Sequence, residues 1–287
     1  MQVLILGSDG LLGSTLSTVV QANGHDVVLH RRTGSGRASG DLSDIAAAEL
    51  VLMGIRPDVI INLIGLTDVD QCQRSPRSAY LTNVMPVKNI AEIVVRFGLD
   101  VRLVQVSTDQ VYSGIGPHVE GIVSPLNVYG ETKLAGEAAA ATMDSIVLRT
   151  NFFGRSRVLG RSSLSDWAYK QLKRGAEVPG LMDVIFSPLS IETLCRLIVR
   201  VLRVPLHGVY NVGSREGFSK ACFLSRFAAV VGYSNAKIRL IGLDDLHLLA
   251  DRPKDMRMNS SAFAVALGIV LPTLNDEIGL MDKYYGD

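Results

Sequence analysis

Two tyrosines in this sequence are followed four residues later by a lysine: Tyr129–Lys133 in "NVYGETKLAGE" and Tyr169–Lys173 in "SSLSDWAYKQLKRG". On a helix that spacing puts both side chains on one face. A phenol titrates at about 10, too high to exchange protons easily at neutral pH, and a cation one turn away lowers it. Such a pair can protonate the alkoxide left when hydride adds to a carbonyl. Eight tyrosines and eight lysines produce about 0.2 such pairs by chance, so one accidental pair is unsurprising.

The surroundings separate the two. Upstream of Tyr129 lies "VQVSTDQVYSG", an apolar strand running into Ser107, Thr108 and Asp109. Ligands of a doubly wound sheet sit beyond the carboxyl ends of its strands, which puts Thr108 beside a reacting carbonyl. Tyr129 then opens a helix after Pro125, with Lys133 one turn along. Tyr169–Lys173 follows no strand end and reads as a packing and snorkelling pair beside Trp167, Leu164 and Leu172. Tyr129 is the expected proton donor.

A second chemical signal opens the chain. "GSDGLLG" places Gly7, Gly10 and Gly13, with Asp9, Leu11 and Leu12 between them, directly between the strand "QVLIL" and a helix. Such glycines permit a tight turn, close approach of a diphosphate, and helix–strand packing, while the helix N-terminus supplies free N–H groups. The second strand ends "VVLHRR" in His30, Arg31 and Arg32, where an NAD-preferring site carries an acid. Guanidinium groups bond a 2′-phosphate that a carboxylate would repel, so NADP(H) is the expected cofactor.

The elements that must position these residues are legible as a rhythm. "QVLIL", "DVVLH", "DVIINLI", "RLVQVS" and "SIVLRT" are continuously apolar, as strands buried on both faces of a parallel sheet are. Helical stretches alternate with them, including "LLGSTLSTVVQANG" closed by Gly24 and "SAYLTNVMPVKNIAEIVVRFG" closed by Gly98. The expected fold is α/β, a doubly wound parallel sheet (Rossmann fold) with a smaller C-terminal substrate lobe. Residues 1–153 form the NADP-binding domain in this reading and 154–287 the lobe. A strand near 207–212, "HGVYNVG", returns to the main sheet. "RVLGRSSLSD" reads as a basic, serine-rich loop, "TGSGRASG" as a flexible loop, and "SKACFLSRFAAVVG" as an amphipathic helix capped by Ser219.

Composition excludes other classes. The 287 residues are 47% apolar with a formal charge of +1, enough for a core and too balanced to seek nucleic acid or an anionic membrane. Cys72, Cys195 and Cys222 lack redox or metal spacing, and no apolar run has the length of a membrane span. "MQVLILG" reads as a strand and not as a leader. The expectation is a cytoplasmic protein acting on a small molecule.

The Gly-x-x-Gly-x-x-Gly spacing resembles the extended short-chain dehydrogenase/reductases. "GIRPDVIINLIGLTDVDQCQRSPRSAYLTNVMPVKNIAE", "STDQVYSG", "LRTNFFG", "SPLSIETL" and "DRPKDMRMNSSAFAVALGI" are similar to the dTDP-4-dehydrorhamnose reductase family over nearly the whole chain. The resemblance implies NADPH reduction of the 4-keto group of a nucleotide-linked 6-deoxy-hexose, with Tyr129 as acid, Lys133 on the nicotinamide ribose and Thr108 on the ketone. It implies Asn83 as a fourth catalytic residue. Cofactor contacts fall to Asp41 and Leu42 near the adenine, and to Ile64, Gly65, Thr67 and Ser107. Thr108, Asp109, Gln110, Tyr129, Asn151, Phe152 and Arg252 would hold the substrate. Departures are Gln110 for the family's tyrosine, Phe152 for tryptophan, Leu63 and Ile64 for alanines, and Gln73 for glutamate. Thr15 replaces a metal-binding glutamate of the family's dimer interface, so no metal is expected; a homodimer is compatible with the class. The alternatives are a sugar-nucleotide epimerase or dehydratase, or an NADP-binding regulatory subunit resembling that of methionine adenosyltransferase. Gln110 cannot titrate, which disfavours dehydration.

Overall fold

The computed structural model describes residues 1–34 and 36–286; Ser35, in the "TGSGRASG" loop, and Asp287 lie outside them. Five strands, β1 (Gln2–Leu6), β2 (Asp26–Leu29), β3 (Val59–Asn62), β4 (Arg102–Thr108) and β5 (Ser145–Thr150), are joined by Gly208–Val212 in one parallel sheet. Its order is β2-β1-β3-β4-β5 followed by Gly208–Val212, the arrangement of a doubly wound fold.

Alternation along each strand builds a core on both faces. Val3 and Ile5 join Ile61, Val104 and Leu148 beneath the helix Ile191–Val201, whereas Leu4 and Leu6 join Ile60, Leu103 and Val147 on the opposite side. The interior strands β3 and β5 are buried at every position, as their unbroken apolar runs require. β2 departs from that expectation: it has no buried residue, because it closes one edge of the sheet.

Helices α1 (Gly13–Ala22), α2 (Ile45–Ile55), α3 (Val69–Arg74), α4 (Pro76–Asn83), α5 (Met85–Phe97) and α6 (Val128–Ala140) complete this half. The single helix expected over "SAYLTNVMPVKNIAEIVVRFG" is two, divided at Val84. Pro86 has no N–H for the carbonyl of Thr82, so the ladder breaks there. α5 still ends on Gly98, its left-handed cap.

Residues after 153 divide between the main sheet, to which the expected strand returns, and a smaller C-terminal part. Ile191–Val201 and Phe263, Leu267 and Leu271 pack into the sheet core along with Gly208–Val212. The independent part is an aromatic cluster of Phe153, Phe186, Phe223, Phe227 and Tyr285, into which Lys220–Val230 buries its apolar face under the Ser219 cap. Phe218–Ser219, Ile185–Phe186 and Asp255–Met256 pair into a small sheet that carries Met256 to Gln110 at the end of β4.

A close seating joins α6 to that strand end. Asn127 caps α6 by accepting the Gly130 N–H at 2.9 Å, and a Cβ on Gly130 would fall on the Gln110 carbonyl oxygen. Gly130→Ala is expected to lower stability by about 1–3 kcal/mol through overpacking. Denaturant unfolding of the variant beside the parent checks it.

Candidate active site

The strand ends, the glycine turn and α6 enclose one cavity of about 360 Å³. Gly7, Gly10, Leu11, Leu12 and Gly13 line it from below β1, and Ile64, Gly65 and Thr67 from the end of β3. The ends of β4 and β5 contribute Ser107, Thr108, Asp109, Gln110, Asn151 and Phe152, and α6 contributes Tyr129 and Lys133. A Cβ on Gly13 would lie 2.5 Å from the Gly7 carbonyl oxygen and 2.7 Å from Ser8 Cα, so only glycine lets α1 start this close to β1. No side chain caps α1; the Ser14 and Thr15 N–H groups donate to the Gly10 and Leu12 carbonyls, so an anion would meet the N–H groups of the turn just before them.

Tyr129 is 8% exposed, and burial raises its phenol above the ordinary value, while a hydrogen bond with the Thr108 side chain pulls it down. Lys133, 6% exposed, donates from Nζ to the Val106 carbonyl at 2.7 Å. Burial drops its pKa to about 8, and the Glu137 charge opposes that fall. The lysine's depression of the phenol, expected from the spacing, is not among the influences on Tyr129. Lys133 turns instead to the β4 backbone.

Asp109 is 1% exposed; burial raises its carboxyl to about 6 against hydrogen bonds from Asn151, at 2.6 Å, and Thr108, at 3.3 Å, and the Lys220 charge. Gln110 donates to Met256 Sδ at 3.1 Å and accepts from Asn127 at 3.4 Å, which ties the cavity wall to the C-terminal segment.

Several sequence-predicted site residues stand elsewhere. Asn83 does not line the cavity: its Oδ1 accepts from the Leu66 N–H at 2.7 Å and its Nδ2 donates to Thr132 at 2.9 Å, pinning the loop after β3 to α6. Arg252 reaches Asp70 on α3 at 2.9 Å. Around the end of β2, Asp9 is exposed and His30 is buried with Nε2 2.9 Å from the Gly40 carbonyl. Arg31 bridges to Ser39, Arg32 pairs with Asp41 at 2.8 Å in the open, and Leu42 sits in the core. Tyr169 lies in the aromatic cluster against Tyr233 and Tyr285, with Lys173 Nζ 5.1 Å from its ring centre.

The cavity also includes Leu63, noted from the sequence beside Ile64, and Val69, Val106, Thr150 and Arg161, which were not assigned to it from sequence. Val106 and Thr150 could have been found from their places near strand ends. Arg161 carries no such signal, since only the folded loop brings it over. Among the described residues no group of three or more His, Cys, Asp or Glu could hold a metal, and no helix is long and apolar enough to cross a membrane. Burial raises the Cys72 thiol to about 11 and Cys195 to about 12.

Sheet order, glycine turn and the Tyr–Lys helix beside the strand ends define a protein of the doubly wound, Rossmann-type class. Within that class the chain belongs to the RmlD substrate binding domain family, whose model matches residues 1–285. It is 26% identical to the probable low-salt glycan biosynthesis reductase Agl14 of Haloferax volcanii, over 100% of this chain and 99% of the relative. It is 28% identical to the dTDP-4-dehydrorhamnose reductase of Escherichia coli K12, over 95% and 94%. Among solved structures, a dTDP-4-dehydrorhamnose reductase from Clostridium acetobutylicum superposes with TM-score 0.89 at 21% identity, covering 99% of both chains. A hypothetical dTDP-4-dehydrorhamnose reductase from Sulfolobus tokodaii gives 0.83 at 29% identity, covering 96% and 99%.

Asp109 yields a stability test. A carboxyl raised from 3.8 to about 6 is penalised when ionised, so the fold loses stability as pH rises through that window. Asp109→Asn is expected to flatten this dependence and raise Tm at neutral pH, read by thermal unfolding across the window. An unchanged slope would contradict the carboxyl's burial.

Proposed function

We propose that this protein is an NADPH-dependent reductase of the 4-keto group of a nucleotide-linked 6-deoxy-hexose. One observation carries the reading: Tyr129, Lys133 and Thr108 share a single cavity with the glycine turn under β1. The names of the Escherichia coli and Haloferax volcanii relatives support it.

The residues fit the cofactor, since the Gly13 approach and the uncapped start of α1 suit a diphosphate. NADPH bound there would supply the hydride. Tyr129 then donates its proton to the carbonyl oxygen as negative charge develops on it. The Thr108 hydroxyl hydrogen-bonds the same oxygen and, with Tyr129, holds it in place. Burial keeps Tyr129 protonated until that moment, and Lys133, charged below about 8 and lining the same cavity, would hold the nicotinamide ribose. Asp109 and Asn151, joined at 2.6 Å, orient sugar hydroxyls at the β4 and β5 ends. Gln110 offers no titratable proton, which favours reduction over dehydration. Arg161, at the cavity wall, is suited to a ligand phosphate.

The test is NADPH oxidation, followed by absorbance, with dTDP-, UDP- and GDP-linked 4-keto-6-deoxy sugars. Consumption with one of them is expected. Tyr129→Phe should reduce kcat by about 10²–10⁴-fold without weakening NADPH binding, whereas Tyr169→Phe should leave turnover nearly intact. NADPH binding with no consumption of any sugar would overturn the reductase reading and favour a regulatory role.

Arg31 and Arg32 provide a separate check. Replacing both with alanine is expected to weaken NADPH by about tenfold or more and NADH much less. Equal losses in titrations with the two cofactors would refute a 2′-phosphate role, as would no loss with either.

A further inference from the structure

Behind the cavity, away from solvent, lies a set of charges that the reaction above does not use. Glu137 stands on α6 one turn beyond Lys133, and Arg149 faces it from β5; both side chains are 4% exposed. Arg149 Nη2 donates to Glu137 Oε2 at 2.6 Å, and Nε donates to the two carboxylate oxygens at 3.0 and 3.1 Å. The Ser107 hydroxyl, in the cavity wall on β4, donates to Glu137 Oε1. Arg149 Nη1 completes the set, donating to the Tyr112 hydroxyl at 2.8 Å and the Glu120 carbonyl at 2.7 Å.

A buried ion pair is a poor source of stability, since apolar residues of the same volume often do as well or better. The pair therefore calls for another explanation, and Lys133 provides it. Its ammonium is buried with a neutral carbonyl as hydrogen-bond partner. Tyr129 and Asp109 share the cavity lining with it, Glu137 follows it by one turn on α6, and Arg149 faces Glu137 from β5. Of these, Glu137 is the charge that opposes the effect of burial on Lys133. Were Glu137 neutral, Lys133 and Arg149 would be two buried cations close to one carboxamide.

We propose that Glu137, clamped by Arg149 and Ser107, is a positioning residue that seats α6 on β4 and β5 with Lys133 toward the cavity and keeps the Lys133 ammonium charged. The proposal rests on the cofactor role given to Lys133 above. It makes the Glu137–Arg149 pair part of the site's electrostatics and not only of the core.

The experiment follows the NADPH dissociation constant against pH by fluorescence, which needs no turnover. The parent should lose affinity as pH rises through about 8, and Lys133→Met should bind weakly with no such limb. Glu137→Gln should move the limb down by about one pH unit, because the cation loses its compensating charge. Glu137→Asp, which keeps that charge, should leave the limb near its parental place. Tyr112→Phe, which loosens Arg149 without removing a charge, should lower Tm and not move the limb. If Glu137→Gln does not fold, Glu137→Gln with Arg149→Gln removes the carboxylate and its partner cation together and should still move the limb down, by less than the single variant, because a nearby positive charge has gone as well.

A limb lost in Lys133→Met but unmoved by neutralising Glu137 overturns this proposal alone. So does a limb moved equally by Tyr112→Phe. A limb that survives Lys133→Met overturns the role of Lys133 and this proposal with it.

Discussion

The seating of α6 on the end of β4 is the contact on which the site depends. Because residue 130 has no side chain, the first turn of the helix meets the Gln110 carbonyl directly. Tyr129 thereby arrives beside Thr108, and Lys133 lies against the Val106 backbone at 2.7 Å. The seating is held from several directions. Asn127 caps the helix and also donates to the Asp251 carbonyl at 2.8 Å, Gln73 accepts the Val128 N–H at 3.2 Å, and Asn83 reaches Thr132 at 2.9 Å. A helix free to slide would carry its phenol away from the strand end, and a misplacement of about 1 Å can cost two orders of magnitude in rate.

Electrostatics in this region works by opposed burial. Desolvation raises Asp109 and Tyr129 and lowers Lys133 and Lys220, so burial pushes these four groups toward their neutral forms. Neighbouring charges then decide how far each group moves, with Lys220 acting on Asp109 and Glu137 on Lys133. Lys133, still charged below about 8, interacts more strongly in such a buried setting with a charge that develops during reaction than it would in water. That suits proton transfer to an alkoxide.

Features encoded within a few residues could be read from the sequence. Gly7, Gly10 and Gly13 announce a turn between strand and helix, and the helix period alone brings Tyr129 and Lys133 to one face. The two tyrosines could be told apart because a strand end precedes only one of them. Features decided by partners distant in the chain were not legible. Asn83 was assigned to the chemistry, yet its amide is engaged with Leu66 and Thr132, and nothing in "AYLTN" reports those neighbours. β2 has the composition of an interior strand and becomes an edge through sheet order alone. Arg161 enters the cavity by the path of its loop. The helix Ile191–Val201 joins the main sheet although its place in the chain suggests the other half.

The sixth strand has a consequence for how the chain is made. In the finished sheet β5 is an interior strand, paired residue for residue with Gly208–Val212 from Ile146 to Thr150. During synthesis from the N-terminus, β5 emerges well before that partner exists. Until Val212 has been made, one side of β5 presents a row of unpaired N–H and C=O groups, next to a cavity still lacking the wall that Met256 anchors. The nascent protein is thus most exposed to edge-to-edge association when its cofactor turn is already in place, and the same late strand that relieves the exposed edge also completes the sheet.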